Sequence, residues 1–251
     1  MYYGGIFLRL YVNFSLDTVE LPIDYNHMLQ AAILNLINSD EYRKFIHDEG
    51  FAFEKRKFKL YTFSRLLGNF EINKEKNSIM FFNKVKLIIS SMDDNFCNYL
   101  MQTLLKFGEI RLGRNILQID TVIAKNFEPA DELKVVTRSP VTVYSTYLDN
   151  FGRKKTLFYH PDDKKFQELL EKNLIKKYQT IHSKLPEGRI SVIHAGKKPK
   201  KVQVIYKGFK ITGWMTAFDL YGDPMLLKIA YETGLGAKNS LGFGLIETIK
   251  K

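Results

Sequence analysis

The spacing of hydrophobic and polar residues predicts a β-α-β-β-α-β order in the first half of the chain. Strands show alternation or runs of strand-forming residues, whereas helices repeat apolar positions every three to four residues. The predicted elements are a strand over 5–14, a helix over 25–38, strands over 57–66 and 79–90, a helix over 93–107 and a strand over 116–124. The polar stretch 69–77 fits a hairpin connection between the two middle strands.

The second half of the chain repeats this order. The predicted elements are a strand over 133–147, a helix over 162–182, a strand over 190–194, one or two strands over 201–218, a helix over 224–233 and a terminal strand over 243–249. Residues 127–131 are polar, contain Pro129 and fit a linker. We therefore predict an α+β fold of two tandem ferredoxin-like (RRM-like) domains, over residues 1–126 and 132–251.

Composition narrows the class of protein. The chain has 251 residues, of which 45% are hydrophobic and 26% charged, as in folded globular domains. No apolar run reaches the roughly 18 residues that a membrane span needs, and no signal peptide is evident. The single cysteine, Cys97, excludes an internal disulfide and a thiolate metal cluster. These features predict a soluble, cytoplasmic protein.

The net charge and the aromatic content of the chain indicate a candidate partner. The net charge is +11 and aromatic residues make up 14% of the chain. Basic side chains neutralise phosphates and aromatic rings stack on bases, so nucleic acid is the favoured partner. The alternative is a lysine-rich solvated surface without a polyanionic ligand.

A glycine-rich stretch near the end of the chain is the first candidate for contact with a polyanion. Residues 234–244 contain four glycines and a lysine between a predicted helix and a predicted strand. A nucleotide-binding loop has the opposite order, with the strand first and the helix after it. A helix C-cap followed by a tight loop accounts for Gly234 better than for Gly242 and Gly244. The predicted RNA-contacting residues are Gly234, Gly236, Lys238, Asn239, Ser240, Gly242 and Gly244.

A basic run at 197–201 is a second candidate for contact with RNA. Its lysines are Lys197, Lys198, Lys200 and Lys201. Charge runs are usually solvated, and a solvated hairpin tip is an equally good interpretation of this one. In a basic protein with a glycine loop, we also expect these lysines to contact an RNA backbone.

Four motifs together resemble the CRISPR repeat-processing endoribonucleases of the RAMP superfamily. They are Leu21–Asn26, Phe45–Gly50, Phe58–Ser64 and the terminal glycine loop. The resemblance covers essentially the whole chain. It implies cleavage of CRISPR repeat RNA without a metal or cofactor, leaving a 2′,3′-cyclic phosphate and a 5′-hydroxyl. It also implies subunits of a CRISPR effector complex as further partners, with the protein itself a monomer or a homodimer.

The resemblance also implies which residues carry the reaction. It assigns proton transfer to His47 and stabilisation of the phosphorane to Lys59. Many relatives place a tyrosine on the first helix, where this chain has Leu34. Tyr42 is a substitute candidate, although it lies five residues before His47, which is about 140° around a helix.

Two other functions stay open at this point. A non-catalytic guide-RNA-binding subunit would use the same fold and loop, and the missing tyrosine favours it. An RNA-modifying enzyme would need a small-molecule pocket that the sequence does not indicate. No group of residues has metal-ligand spacing, because His47, Asp48 and Glu49 are consecutive and cannot all face one ion.

Overall fold

A computed structural model describes residues 9–196, 198–206 and 208–249. The first half of these residues forms one antiparallel sheet with helices packed against it. Its elements are β1 (Arg9–Pro22), α1 (Asn26–Asn35), α2 (Asp40–Lys44), a π-helical turn (Phe45–Glu49), β2 (Phe51–Phe53), β3 (Arg56–Phe58), β4 (Tyr61–Phe63), β5 (Leu67–Asn73), β6 (Ser78–Ser91), α3 (Asp94–Phe107), β7 (Glu109–Leu112) and β8 (Asn115–Lys125). Of the strand predicted over residues 5–14, only the part from Arg9 onward lies within the described residues.

The second half forms another antiparallel sheet. Its elements are β9 (Glu132–Thr137), β10 (Tyr144–Leu148), β11 (Lys154–Phe158), α4 (Lys164–His182), β12 (Ile190–His194), β13 (Lys200–Tyr206), β14 (Phe209–Met215), β15 (Ala217–Gly222), α5 (Pro224–Thr233), a 3-10 turn (Asn239–Leu241) and β16 (Ile246–Thr248).

Strand order confirms the predicted fold class. In the first sheet β1 lies between β6 and β8, and β4 and β5 pair with β6. In the second sheet the order is β12-β15-β9-β16. Each is the 4-1-3-2 order of a ferredoxin-like sheet, with the first strand in the middle. The hairpins β2–β3, β10–β11 and β13–β14 are insertions into this plan.

Four sequence predictions of local structure were wrong. The strand predicted over 57–66 is β3 and β4, which belong to different sheets, and the region 201–218 contains β13, β14 and the start of β15 instead of one or two strands. The polar stretch 69–77 is mostly strand, because β5 runs to Asn73 and pairs with β6 through its backbone while exposing its side chains. A polar sequence can form an edge strand because its hydrogen bonds need no particular side chain. The predicted strand 133–147 is two strands, since the chain breaks at Pro140, which has no backbone N–H.

A buried arginine joins the two halves. Arg9 at the start of β1 is 1% exposed. Its Nη1 donates to the carbonyl oxygen of Ile246 at 2.6 Å, and its Nη2 donates to the carbonyl oxygen of Tyr231. The guanidinium also lies 3.3 Å from the centre of the Tyr231 ring. Arg9 therefore connects the first sheet to both α5 and β16 of the second half.

A buried carboxyl group lies at the end of α5 near this arginine. Glu232 is 2% exposed, and its Oε2 has no hydrogen-bond partner among the described residues. Burial raises the pKa of Glu232 to about 8, an effect that the nearby Lys228 and Arg9 oppose and Asp94 reinforces. The folded protein therefore keeps a proton on Glu232 at a pH where the unfolded chain releases it.

This difference predicts how stability depends on pH. The pKa of Glu232 is higher in the folded protein than in the unfolded chain. Proton binding by Glu232 therefore adds fully to the free energy of unfolding below about pH 4, and this contribution is lost as pH rises to about 8. Glu232→Gln removes that loss, so we expect the variant to be about 2–4 kcal/mol more stable than wild type at pH 9, and equal to it at pH 4. Chemical denaturation at both pH values measures this.

Glu187→Gln is the matched control, because the Glu187 side chain is 91% exposed. It should stay within about 0.5 kcal/mol of wild type at both pH values. Equal stability of Glu232→Gln and wild type at pH 9 would show that Glu232 titrates normally.

Candidate functional site

A polar cleft runs between α1 and α2 in the first half. Its volume is about 460 Å³, within the range of ligand sites. Buried Leu34 lies along it. The polar side chains lining it include His27, Gln30, Arg43, Lys44, His47 and Tyr206.

A π-helical turn presents His47 to this cleft. Ser39 caps the start of helix α2, and its Oγ accepts the backbone N–H of Tyr42 at 3.3 Å. Five residues later the chain widens into the turn, closed by the Gly50 N–H donating to the Phe45 carbonyl at 2.7 Å. Such turns re-aim side chains and are frequent at functional sites. Gly50 has φ +67°, and a Cβ there would lie 2.5 Å from the Phe58 carbonyl oxygen, so glycine is required.

Asp48 holds one nitrogen of the His47 ring. His47 Nδ1 lies 2.6 Å from Asp48 Oδ1, and the histidine side chain is 60% exposed. This hydrogen bond lowers the pKa of Asp48, as do the charges of Lys44 and Lys59. The carboxylate can only accept, so Nδ1 carries the hydrogen and Nε2 is left for proton transfer.

Lys59 lies directly behind this turn. It belongs to the connection between β3 and β4, and its stem packs on Gly50, where a Cβ would be 2.8 Å from Lys59 Cδ. Its Nζ is buried without a hydrogen-bond partner among the described residues. Burial lowers the pKa of Lys59, and Lys57 lowers it further, while Asp48 and Glu49 raise it. A desolvated ammonium without a hydrogen-bonded acceptor is a favourable place for an anion.

The structure does not bring Tyr42 into the cleft. Its hydroxyl donates to Asp93 Oδ2 at 2.5 Å, and its ring lies 5.1 Å from that of Tyr99. Burial raises the pKa of Tyr42, and Asp93 raises it further. This side chain therefore faces the core side of α2, while His47 faces the cleft.

The cleft also contains His27 and Tyr206, which were not predicted as site residues. His27 stands on the first turn of α1, and Tyr206 arrives from β13 in the second half, donating to Gln30 Oε1 at 2.6 Å. His27, Ala31 and Leu34 follow helical spacing, so the sequence did carry a signal for the face that His27 shares. Tyr206 depends on a contact 176 residues apart in sequence and carried no such signal.

The glycine loop is packed inside the protein. Gly234, Gly236, Gly242 and Gly244 are all buried. A Cβ on Gly242 would lie 2.6 Å from the Phe63 ring, and one on Gly244 would lie 2.0 Å from the Leu235 carbonyl oxygen. The Gly244 N–H donates to the Pro140 carbonyl at 2.9 Å. These glycines are thus explained by close packing, and the Gly244 N–H, predicted to contact RNA, is bonded to another part of the chain instead.

Polar side chains inside the loop hold its shape. Lys177 of α4 is buried, and its Nζ donates to the Gly234 carbonyl at 2.6 Å and to Asn239 Oδ1 at 2.9 Å. Asn239 Nδ2 donates in turn to the carbonyls of Leu235 and Phe243, both at 3.0 Å. Asn239 therefore serves the loop itself.

The exposed cation of the loop is Lys238. Its backbone is left-handed, and its Nζ lies 5.8 Å from the centre of the Tyr144 ring on β10. Ser240 is half-buried. Contact between these residues and RNA stays a prediction.

The basic run lies at the start of the β13–β14 hairpin. Lys198, Lys200 and Lys201 are exposed, whereas Lys197 lies outside the described residues. Lys200 pairs with Met215 and Lys201 with Trp214, at the end of β13 opposite Tyr206. Five strand residues span roughly 17 Å, so these lysines stand well apart from the cleft.

Searches for metal ligands and membrane helices gave no candidate. Among the described residues, no three His, Cys, Asp or Glu side chains are grouped to hold a metal ion. Within the same residues no helix is both long and apolar enough to cross a membrane.

Fold and site together define a tandem ferredoxin-like protein with a histidine-bearing cleft in its first domain. Two family models match adjoining segments of the chain. They are the N-terminal model of CRISPR-associated protein Cas6, over residues 20–123, and the C-terminal model of the same protein, over residues 124–248. The chain belongs to the Cas6 family.

Curated and solved relatives agree with this assignment. The chain is 28% identical over 233 residues to CRISPR-associated endoribonuclease Cas6 1 of Methanocaldococcus jannaschii, covering 92% of this chain and 88% of that protein. It is 26% identical over 234 residues to CRISPR-associated endoribonuclease Cas6 of Pyrococcus furiosus, covering 91% and 83%. A solved structure of a Cas6-related protein from Pyrococcus furiosus aligns with a TM-score of 0.83 and 25% identity, over 99% of this chain and 100% of that one.

The packing of the glycine loop makes a prediction about stability. In Gly242→Ala the new methyl group would meet Phe63 and Asn26 at 2.6 and 2.8 Å, in a backbone with φ +79°. We expect a loss of about 2–4 kcal/mol, from strain of about 1 kcal/mol and overpacking. Urea denaturation measures it.

Gly152→Ala separates the two causes. Gly152 has a similar φ of +70°, and a Cβ there would meet nothing within 4 Å. It should lose only the strain, about 1 kcal/mol. Equal losses in the two variants would mean that the contact of Gly242 with the first domain contributes nothing.

Proposed function

We propose that this chain is an endoribonuclease that cleaves CRISPR repeat RNA; two of its relatives are named CRISPR-associated endoribonucleases. The observation that carries this proposal is the arrangement of His47, Asp48 and Lys59. An exposed imidazole has one nitrogen held by a carboxylate, and an ammonium without a hydrogen-bond partner among the described residues lies behind the same turn. Proton transfer and stabilisation of a phosphorane need these two groups.

The proposed reaction is attack of a ribose 2′-hydroxyl on the adjacent phosphorus. The 2′-oxygen loses its proton, the bond from phosphorus to the 5′-oxygen breaks, and that oxygen takes up a proton. The products are a 2′,3′-cyclic phosphate and a 5′-hydroxyl, and no metal-bound water is required. His47 transfers a proton, and Lys59 stabilises the added negative charge.

Binding of RNA would involve the second half as well. Lys238 is exposed beside an aromatic ring, and Lys198, Lys200 and Lys201 are exposed on the β13 hairpin. With a net charge of +11, such a surface can follow a phosphate backbone. We keep the domain limits 1–126 and 132–251 as part of this proposal.

A non-catalytic guide-RNA-binding subunit is the second candidate. The family resemblance implies a tyrosine at the position of Leu34, and Tyr42 is hydrogen-bonded to Asp93 on the other side of α2. If no other residue completes the proton transfer, the cleft would bind RNA without cutting it.

Replacing His47 tests catalysis directly. We expect His47→Ala to lower the single-turnover rate of repeat cleavage by about 10²–10⁴-fold, the usual contribution of a proton-transfer group, with RNA affinity within about threefold of wild type. Wild-type cleavage should be unchanged by chelator, and products should carry a cyclic phosphate. Quenched-flow gels and end-group analysis measure both.

His160→Ala is the matched control, because His160 packs against Trp214 in the second half at 4.4 Å between ring centres. It should cleave at the wild-type rate. Intact RNA bound by wild-type protein would instead support the guide-binding subunit, and loss of cleavage on adding chelator would exclude the proposed reaction.

Lys238→Ala tests the RNA-binding surface. Removing one phosphate contact should weaken binding and reduce the slope of log affinity against log salt by about 0.7–0.9. The rate at saturating protein should not change. Fluorescence anisotropy at four salt concentrations gives the slope.

Lys184→Ala provides the comparison, since Lys184 is exposed and lies near Glu187, at 3.6 Å from its carboxylate. An unchanged slope in Lys238→Ala would remove this loop from the RNA-binding surface.

A further inference from the structure

The cleft contains a second histidine that the reaction proposed above does not use. His27 and His47 both line it, one from the first turn of α1 and the other from the turn after α2. The other charged or titratable groups that line the cleft are Asp40, Arg43, Lys44, Asp48 and Tyr206. Imidazole is the side chain that enzymes use most often for proton transfer.

His27 has its ring fixed in the same way as His47. Its Nδ1 lies 2.9 Å from the carbonyl oxygen of Asp24, which can only accept, so Nδ1 carries the hydrogen. The Nε2 of a neutral His27 is then a base with a free lone pair. Asp24 is itself held, because its Oδ1 accepts the Ile205 N–H at 3.0 Å.

The two histidines line the same cleft, which has a volume of about 460 Å³. Asn35 and Asp40, at the connection between α1 and α2, also line it.

We propose that His27 is a second catalytic residue of the reaction proposed above, and that it is the base while His47 is the acid. The proton of the 2′-hydroxyl moves to His27 Nε2 as the 2′-oxygen bonds to phosphorus. The bond to the 5′-oxygen breaks, and that oxygen takes the proton of His47 Nε2. Charge and atoms balance, and no other reactant is needed.

The partners of the two rings decide which is which. His47 Nδ1 donates to the carboxylate of Asp48, whose negative charge favours a ring that gives up a proton from Nε2, so the acid role goes to His47. His27 Nδ1 donates to a neutral carbonyl oxygen, which adds no such charge, so the base role goes to His27.

His27→Asn is the main test, because an asparagine amide can still donate to the Asp24 carbonyl but cannot transfer a proton. We expect its single-turnover rate on repeat RNA to fall about 10²–10⁴-fold, with RNA affinity and melting temperature near wild type. The acidic limb of the pH–rate profile should disappear, because the rate no longer waits for a base to lose its proton. In His47→Ala the alkaline limb should disappear instead.

A substrate with sulfur in place of the 5′-oxygen at the mapped cleavage site assigns the roles. A thiolate leaves without a proton, so this substrate should restore His47→Ala to within about tenfold of wild type and leave His27→Asn slow. Restoration of His27→Asn would reverse the assignment and overturn the proposal. His160→Ala again serves as the control with an unaltered profile.

Failure of this inference is distinct from failure of the proposed function. If wild type cleaves the repeat and His27→Asn cleaves it equally fast, His27 is not catalytic while the endoribonuclease stands. If wild type binds repeat RNA and never cleaves it, the proposed function fails and this inference fails with it.

Discussion

The packing of the glycine loop on the first domain is the contact on which the rest of the molecule depends. Asn26, the first residue of α1, donates its side-chain amide to the Leu241 carbonyl at 3.0 Å. Thr62 of β4 donates to the Phe243 carbonyl at 2.9 Å. Gly242 lies against Phe63 with no room for a side chain. The loop therefore sets the position of α1, and with it the residue after Asn26, which is His27.

This contact is stable because polar side chains on the inner side of the loop hold its backbone in place. Lys177 and Asn239 satisfy backbone carbonyls that a glycine-rich segment would otherwise bury without partners. Burial lowers the pKa of Lys177 to about 7. Glycine is needed at Gly244, where φ is positive and another backbone segment lies too close for a side chain. Lys177 supplies a side-chain hydrogen-bond donor, which a glycine cannot.

Sequence reasoning reached the fold class and the family because both rest on local patterns. Helical spacing gave α3, α4 and α5 nearly to the residue, and the Asp223-Pro224 start and the Gly234 end of α5 were visible as cap signals. The failures concern long-range contacts. The sequence could not show that Gly242 packs on Phe63 or that Tyr206 reaches Gln30, because neither pairing leaves a periodic signal. The prediction for β5 failed for a related reason. An edge strand pairs through its backbone, so its side chains need not follow a strand pattern.

The same contacts explain why a cleft in the first domain depends on the second. The β13–β14 hairpin supplies Tyr206 to the cleft and the Ile205 N–H to Asp24, whose carbonyl in turn orients His27. The glycine loop holds the start of α1 from the other side. Two elements of the second half thus fix one helix of the first, which explains how an exposed histidine can keep a defined ring orientation. A phosphate backbone bound across both halves would then lie along the same surfaces that position the proton-transfer groups.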